Sequence, residues 1–345
     1  MAYTDIDDPT IYFNTKLYTG NGSTGHVITG VGFQPDWVWL KNRNTTNTHE
    51  AFDSVRGATK TLYPDRSDAE YVNATGSLTS FNSDGFTVGS GDGANKSGSG
   101  IASWNWKAGG SASSNTDGSI TSTVSANTTA GFSIVSYSGN ATTGATVGTG
   151  LNSVPQWVMV KSRTNGADWW GMYLSALGNN KSIFLNDSSA EGTRTYWNNT
   201  TPTSSVFTVS NERSVNGSGE NFIAYCFAEK KGYSKFGSYR GNGGSQNFIF
   251  TGFKPAMVII KRTDSAGYEW RIVDNKRLGY NGASYSLNPN DSSAEGTSDR
   301  LDFLSNGIKL TTSATSFNAS GGTYIYMAFA ESPFVNSNGV PNNAR

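Results

Sequence analysis

Three stretches decide the fold, because in each of them a proline opens an apolar run that a lysine ends. They read Pro35-Asp-Trp-Val-Trp-Leu-Lys41, Pro155-Gln-Trp-Val-Met-Val-Lys161 and Pro255-Ala-Met-Val-Ile-Ile-Lys261. Side chains alternate between the two faces of a β-strand, so Trp37 and Trp39 share one face while Val38 and Leu40 share the other. Both faces are apolar, which predicts a central strand that is covered on both sides.

Further landmarks recur around these stretches in the same order. A Tyr-x-Gly-Asn string precedes each run and an Asn-x-Ser-Gly string follows it, and these strings begin at Tyr18, Tyr137 and Tyr239 and at Asn95, Asn216 and Asn318. An Ala-Glu pair lies between them, with its acid at Glu70, Glu191 and Glu295. An aromatic residue stands 71, 72 and 74 residues after the proline, at Trp106, Phe227 and Phe329. So many landmarks in register indicate three copies of one unit.

The composition is typical of short strands joined by many turns. The 345 residues include 41 glycines and are 12% aromatic, and glycine supplies the positive φ that tight turns require. We therefore predict an all-β fold of three tandem antiparallel β-sandwich units that resemble jelly rolls. The predicted segments are an N-terminal attachment segment, the first unit, a Gly/Ser/Thr-rich linker that can flex, the second unit, the third unit and a loose polar tail, at 1–10, 11–108, 109–127, 128–231, 232–333 and 334–345.

The charge pattern argues against several classes of protein. The formal net charge is zero, and the basic residues are scattered, whereas nucleic-acid binders cluster them. Cys226 is the single cysteine, so we expect neither an internal disulfide nor a thiolate metal cluster. No apolar run approaches the ~18 residues of a membrane span, so we expect no membrane insertion, and the polar start does not resemble a secretory signal.

Few residues are arranged for catalysis. Glycoside hydrolysis needs two carboxylates across one bond, but an acid that recurs in all three units is better explained by a role in the fold. His26 and His49 lie outside the repeat, and Cys226 is expected to be a buried, inert thiol. Loop oxygens can ligate Ca²⁺, but no complete calcium loop is present around Asp84, Asp92, Asn186, Asp187, Asn290 and Asp291. We therefore predict no catalytic residues, no cofactor and no enzyme activity.

Four aromatic residues are the candidate contact site. Trp169 and Trp170 are adjacent, so they point to opposite faces and one of them can be exposed. Tyr196 and Trp197 lie in the polar string Thr195-Tyr-Trp-Asn-Asn-Thr200. Three interpretations stay open for these residues: stacking on a sugar ring, anchoring another protein chain, or plain packing.

Several longer strings are similar to those of a known family. They include Gly32-Phe-Gln-Pro-Asp-Trp-Val-Trp-Leu-Lys-Asn-Arg43, Phe52-Asp-Ser-Val-Arg-Gly57 and Tyr324-Ile-Tyr-Met-Ala-Phe-Ala-Glu331. The chain resembles, over about residues 5–333, uncharacterised tail-fibre-like virion proteins of marine and cyanobacterial bacteriophages. This resemblance implies a structural role on the virion surface and brings no catalytic residues.

The resulting expectation is a non-enzymatic virion surface protein, either a tail-fibre or tail component or a capsid decoration. We expect it to be made in the cytoplasm of the host bacterium, to contact other virion proteins and to form a homo-oligomer, with a trimer favoured. The alternative is an adhesin that binds host surface glycans, and a polysaccharide depolymerase is the weakest candidate.

Overall fold

The computed structural model describes residues 3–277, 281, 285–297 and 300–342. The first two residues of the predicted attachment segment and the last three of the predicted tail lie outside the described residues. Within the described residues, the fold is almost entirely antiparallel β-structure arranged as packed sheets, so the predicted all-β, sandwich-like class is confirmed.

The strands in the first third of the chain are β1 (Phe13–Thr19), β2 (His26–Thr29), β3 (Trp37–Asn42), β4 (Glu50–Asp53), β5 (Lys60–Thr61), β6 (Tyr71–Val72), β7 (Leu78–Asn82), β8 (Gly85–Val88) and β9 (Gly100–Trp106). Those in the middle third are β10 (Ser113–Asn115), β11 (Ser122–Asn127), β12 (Phe132–Ser138), β13 (Ala145–Gly148), β14 (Trp157–Ser162), β15 (Gly171–Leu174), β16 (Lys181–Phe184), β17 (Gly192–Thr193), β18 (Val206–Val209) and β19 (Asn221–Phe227).

The last third contains β20 (Ser234–Arg240), β21 (Asn247–Phe250), β22 (Phe253–Arg262), β23 (Arg271–Asp274), β24 (Tyr285–Ser286), β25 (Gly296–Thr297), β26 (Leu301–Leu304), β27 (Gly307–Leu310) and β28 (Thr323–Pro333). A 3₁₀ turn covers Pro9–Ile11, and one-turn helices α1 (Asp92–Asn95), α2 (Arg213–Asn216) and α3 (Thr315–Asn318) occupy equivalent places. No helix of the described residues combines the length and apolar character that crossing a bilayer requires.

The same strand order recurs in the three sequence repeats. The larger sheets contain the runs β1-β9-β3-β4, β12-β19-β14-β15 and β20-β28-β22-β23. The smaller sheets are β2-β8-β7, β13-β18 and β21-β27-β26. In each repeat the apolar run opened by the proline pairs with the terminal strand on one side and with the following strand on the other. The exact boundaries of the three units stay a prediction.

The two faces of the central strand of the first repeat, β3, pack into two different hydrophobic cores. Val38 and Leu40 point into a core shared with the smaller sheet of the first repeat, whereas Trp37 and Trp39 point into a second, larger core. All four side chains are fully buried or nearly so, which confirms the prediction of a central strand covered on both sides. The second and third repeats follow the same pattern with Trp157/Met159 against Val158/Val160 and Met257/Ile259 against Val258/Ile260.

The larger core is common to all three repeats. Trp106, Phe227 and Phe329, the aromatic residues that close the repeat, contact one another in every pair, with ring centroids 5.7, 5.8 and 6.5 Å apart. Three equivalent side chains can meet in this way only if the repeats surround one axis. The chain therefore folds as a ring of three repeats around an aromatic centre and not as an extended rod.

The repeated tyrosine and asparagine meet in each repeat, which explains why both recur. The hydroxyl groups of Tyr18, Tyr137 and Tyr239 donate to the carbonyls of Ala94, Val215 and Phe317, at 2.6–2.7 Å. The residue that follows each of these carbonyl groups is the repeated asparagine, which is buried. Its side chain holds the loop that follows the first strand of the repeat. Asn95, for example, accepts from the Asn21 N–H and donates to the Ser23 and Gly89 carbonyls.

Two predictions about the connecting segments need correction. The segment 109–127 is not a flexible linker, because β10 and β11 join it to the sheet of the second repeat. The tail is not loose over residues 334–342, because Val335 pairs with Pro341 and the Phe334 N–H bonds the Gly252 carbonyl.

Residues 4–7 of the predicted attachment segment contact the ring. The Thr4 hydroxyl and the Asp5 N–H both donate to the Lys231 carbonyl, at 2.8 and 3.0 Å. Ile6 is 4% exposed and belongs to the common core, and Asp7 accepts from Ser337 of the tail. Part of this segment therefore belongs to the core of the protein.

Candidate functional site

Three of the four candidate aromatic residues are buried, so of the three interpretations left open for them the structure agrees with plain packing. Trp170 is fully buried, and its indole N–H donates to the Tyr63 carbonyl of the first repeat at 2.9 Å. Trp197 is 1% exposed and donates to the Ser182 hydroxyl, and Tyr196 is 8% exposed. Their polar neighbours in sequence face solvent while the rings themselves turn inward.

Trp169 is the exposed member of the candidate set, with 40% of its surface accessible. Its ring stands edge-on to Phe184, with centroids 4.6 Å apart. The guanidinium of Arg194, itself an exposed residue, lies 4.8 Å from the centre of the same phenyl ring and 5.8 Å from that of Tyr196. This Trp169 patch combines a flat apolar face with a cation whose donors reach solvent.

The repeated glutamates join one repeat to the next. The backbone N–H of Glu70, Glu191 and Glu295 donates, in each case at 2.8 Å, to the carbonyl of Arg163, Thr263 and Arg43 respectively. The acid therefore supports the fold as expected, but it does so across repeats and not within its own turn. The first repeat contacts the second, the second contacts the third, and the third contacts the first, which closes the ring.

Two of these glutamates also bridge a pair of arginines. The Glu70 carboxylate accepts from Arg56 of its own repeat at 3.1 Å and from Arg163 of the second repeat at 2.9 and 3.0 Å. Although burial opposes ionisation, the hydrogen bonds from Arg163 and the charge of Arg56 hold the pKa of Glu70 below its usual value. Glu295 binds Arg277 and Arg43 in the same manner.

Buried acids add a second link at the same two interfaces. Asp53 accepts from the Tyr225 hydroxyl of the second repeat at 2.7 Å, and Asp274 accepts from the Trp104 indole of the first repeat at 3.0 Å. At the interface between the second and third repeats the equivalent positions hold Leu174 and Met327, which both lie in the common core. Two interfaces thus have a polar pair at these positions, and the third interface has two apolar residues there.

The interface between the first and third repeats contains an unusual pair of titratable groups. The backbone N–H of Trp170 and Trp270 donates to an asparagine side chain, Asn186 or Asn290, at 3.0 and 2.9 Å. In the first repeat the same bond joins the N–H of His49 to Asp65, at 3.1 Å. Histidine and aspartate here occupy the places of tryptophan and asparagine.

Burial dominates the protonation of this pair and its surroundings. It raises the pKa of Asp65 to about 7 and that of the neighbouring Glu50 to about 8. It also lowers the pKa of His49 well below its usual value, and the His49 Nδ1 accepts from the Trp39 indole at 2.9 Å. The imidazole is therefore neutral and enclosed, which is unsuited to proton transfer with a substrate in solution.

The lysines that end the three apolar runs are also enclosed. The ammonium of Lys41 donates to the carbonyls of Asn42, Thr45 and Ser292 at 2.7–3.0 Å. Lys161 and Lys261 make equivalent bonds. Burial lowers the pKa of each lysine to about 8, and the carbonyl bonds identify them as cross-links between loops.

Side-chain oxygens of the loops considered for calcium accept hydrogen bonds from backbone N–H groups of the protein. Asp84 accepts from the Gly30 and Gly32 N–H groups, at 2.9 and 2.6 Å, and Asp291 from the Ser293 N–H. Asn186 and Asn290 hold the tryptophan backbones described above. In the part of the chain that the structure describes, no three histidine, cysteine or acidic side chains come together as a metal site.

The remaining candidates for chemistry are hydrogen-bonded or buried. His26 lies beside the Asn95 side chain, with its Nδ1 2.9 Å from the amide oxygen, and Cys226 is fully buried with its pKa raised by burial to about 12. A cavity of about 400 Å³ opens near Asp36. The Asp36 carboxylate is already bonded to the Ser54 hydroxyl and the Ala108 N–H, at 2.9 and 2.8 Å.

One exposed feature was missed in the sequence. Phe248 and Phe250 are 46% and 60% exposed on the outer face of β21. The alternation of these rings with buried Ile249 was a usable signal, since alternating residues of a strand point to opposite faces.

Comparison with known proteins places the chain in a family. Residues 8–333 match the family model described as a domain of unknown function, DUF7483, so the chain belongs to this family. No curated protein and no solved structure matches the chain.

Proposed function

We propose that this chain is a non-enzymatic surface protein of a bacteriophage particle, either a tail-fibre or tail component or a capsid decoration. One observation carries the proposal: the polar residues that recur in all three repeats are engaged in holding the ring together. Glu70, Asn95 and Lys41 and their counterparts bond other loops or other repeats. Recurring polar positions that are used in internal bonds suit a durable body that presents contact surfaces.

The similarity of several sequence strings to tail-fibre-like virion proteins supports the same proposal. The chain would be made in the cytoplasm of the infected bacterium and would join other virion proteins at the particle surface. A homo-oligomer belongs to the proposal as well. Because three repeats already surround one axis, a single chain has the approximate arrangement of a trimer, and contacts between copies need not be threefold.

A second candidate, a carbohydrate-binding adhesin, is favoured by the Trp169 patch. An indole face that is 40% exposed offers apolar area for stacking on a sugar ring, and Arg194 offers hydrogen-bond donors to its hydroxyls. The experiment measures binding of purified host-envelope polysaccharide by calorimetry. Loss of binding in Trp169→Ala, with binding retained in Tyr71→Ala, would favour the adhesin; Tyr71 is a matched control because it is 55% exposed in another repeat.

The principal test of the virion proposal uses purified particles. Quantitative mass spectrometry of particles banded in a density gradient should find the chain at a fixed copy number relative to the major capsid protein. Antibodies raised against the chain should label intact particles. A chain that is made during infection but is absent from banded particles would refute the virion role.

A further inference from the structure

The strand β21 leaves one edge of its sheet open. It lies at the margin of the sheet β21-β27-β26 and pairs only with β27 within the described residues. Phe248 and Phe250 extend from its outer face, while Ile249, which is 5% exposed, points into the sandwich. An open edge offers unpaired N–H and C=O groups to another strand.

The equivalent edge in the second repeat shows what such an edge accepts. There β13 is covered by residues 118–120, and the Ile120 N–H donates to the Thr146 carbonyl at 2.9 Å. The Thr146 N–H donates to the Ser119 hydroxyl, also at 2.9 Å. The N–H and C=O of Thr146 therefore both point away from β18.

The pairing registers show which residues of β21 face outward. Ala145 pairs with Val209 and Asn247 with Leu310, so Phe248 corresponds to Thr146 and Phe250 to Gly148. The outward N–H and C=O groups of β21 are accordingly those of Phe248 and Phe250. No described residue bonds them from the open side.

Apart from its short length of four residues, this edge lacks the usual protection against pairing. Natural edge strands carry charges, prolines or bulges that prevent contact with another sheet. The segment Asn247–Phe250 has no charge and no proline, and its register with β27 is regular. The corresponding edge strand of the first repeat has Val27 and Thr29 at the outward positions, so the aromatic pair is particular to the third repeat.

We propose that β21 pairs with β21 of a second copy of this chain, antiparallel and around a twofold axis at Ile249. Phe248 then lies opposite Phe250 of the second copy, and the reverse pair forms by symmetry. Each such pair exchanges two backbone hydrogen bonds, and four phenyl rings share one face as cross-strand aromatic pairs.

We choose a second copy of the chain as the partner of this edge because the pairing of two β21 strands is self-complementary. It satisfies every outward backbone group of the two central positions and places no like charges opposite each other. The two sheets become one six-stranded sheet. This contact goes beyond the proposed virion role and does not depend on it. Because the paired segment is short, dimers should form at high micromolar concentration and dissociate on dilution.

The test is sedimentation velocity of the full chain over a concentration series from micromolar to several hundred micromolar. The expected result is a shift from 36.8 kDa towards twice that mass. The double variant Phe248→Thr/Phe250→Gly introduces the residues that the second repeat has at these positions, Thr146 and Gly148. It should stay at the monomer mass, and so should Phe248→Lys. The control Val27→Thr, at the corresponding edge of the first repeat, should dimerise like the parent.

Hydrogen exchange gives a readout that does not depend on the variants. The amides of Phe248 and Phe250 should gain protection as concentration rises, whereas the amide of Val27 should not. A parent chain that stays monomeric throughout, or a dimer or trimer that persists in both Phe248 variants, would overturn the proposal. Protection of β21 only by an extended segment of a different protein would also overturn it.

Discussion

Replacing Asp65 by asparagine should stabilise the protein, and more so at higher pH. The structure gives the reason by comparison of the repeats: the two other repeats place Asn186 and Asn290 at this position, and those amides accept the same backbone hydrogen bond. Asparagine can therefore keep the bond to His49 while it removes an acid that burial disfavours in its charged form.

The magnitude follows from the pKa of Asp65, which burial raises to about 7, against about 3.9 in an unfolded chain. Between these values the unfolded chain loses the proton that the folded chain keeps, so the free energy of unfolding falls as pH rises from about 4 to about 7. The full difference between these two pKa values corresponds to about 4 kcal/mol in the free energy of unfolding. Because Asp65 is only part-buried, solvent screening reduces the expected gain to about 2 kcal/mol at pH 8.

The assay is urea unfolding of the parent and of Asp65→Asn at pH 4 and pH 8. The variant should gain about 2 kcal/mol at pH 8 and almost nothing at pH 4. Asp68→Asn is the control, since the exposed ion pair of Asp68 with Arg66 contributes little. A variant less stable than the parent at pH 8 would show that the charge of Asp65 is needed, for example beside Lys41, and would refute the reasoning.

Three further results are expected. Glu295→Gln should lower the free energy of unfolding by about 2 kcal/mol, because buried Arg277 and its neighbour Arg43 lose one charged acceptor at the ring closure while Arg277 keeps Asp274; a loss no larger than that of Asp68→Asn in urea unfolding would contradict this. Phe227→Ala should cost about 3–5 kcal/mol because it opens a cavity at the centre of the ring, whereas exposed Tyr71→Ala should change stability by less than about 0.5 kcal/mol. Cys226, buried with a pKa raised to about 12, should react with a thiol reagent at pH 8 only as fast as the protein unfolds, and rapid labelling of the native protein would argue against its burial.

Sequence reasoning succeeded where a local period determines the structure. The alternation in Pro35–Lys41 predicted a strand covered on both faces, and this follows from the two-residue period of a strand, which is a property of the backbone and needs no knowledge of distant contacts. The adjacency of Trp169 and Trp170 indicated only that the two rings point to opposite faces and that one of them can be exposed.

The arrangement of the repeats was beyond such reasoning. Glu295 and Arg43 are separated by 252 positions, and nothing in either local string indicates that they form an ion pair. Whether Trp197 is exposed stayed open for a related reason: outside a regular strand, polar neighbours do not show which way a ring points. Closure of the ring is set by packing at the common core, where side chains from all three repeats must fit together.

The most direct measurement for the central claim is cryo-electron microscopy of intact particles at a resolution that shows strands. The virion proposal predicts surface density into which a ring of three β-sandwiches fits, located on the capsid lattice, the tail or its fibres. Particles that contain no such density, although the chain is abundant in the infected cell, would contradict the virion role.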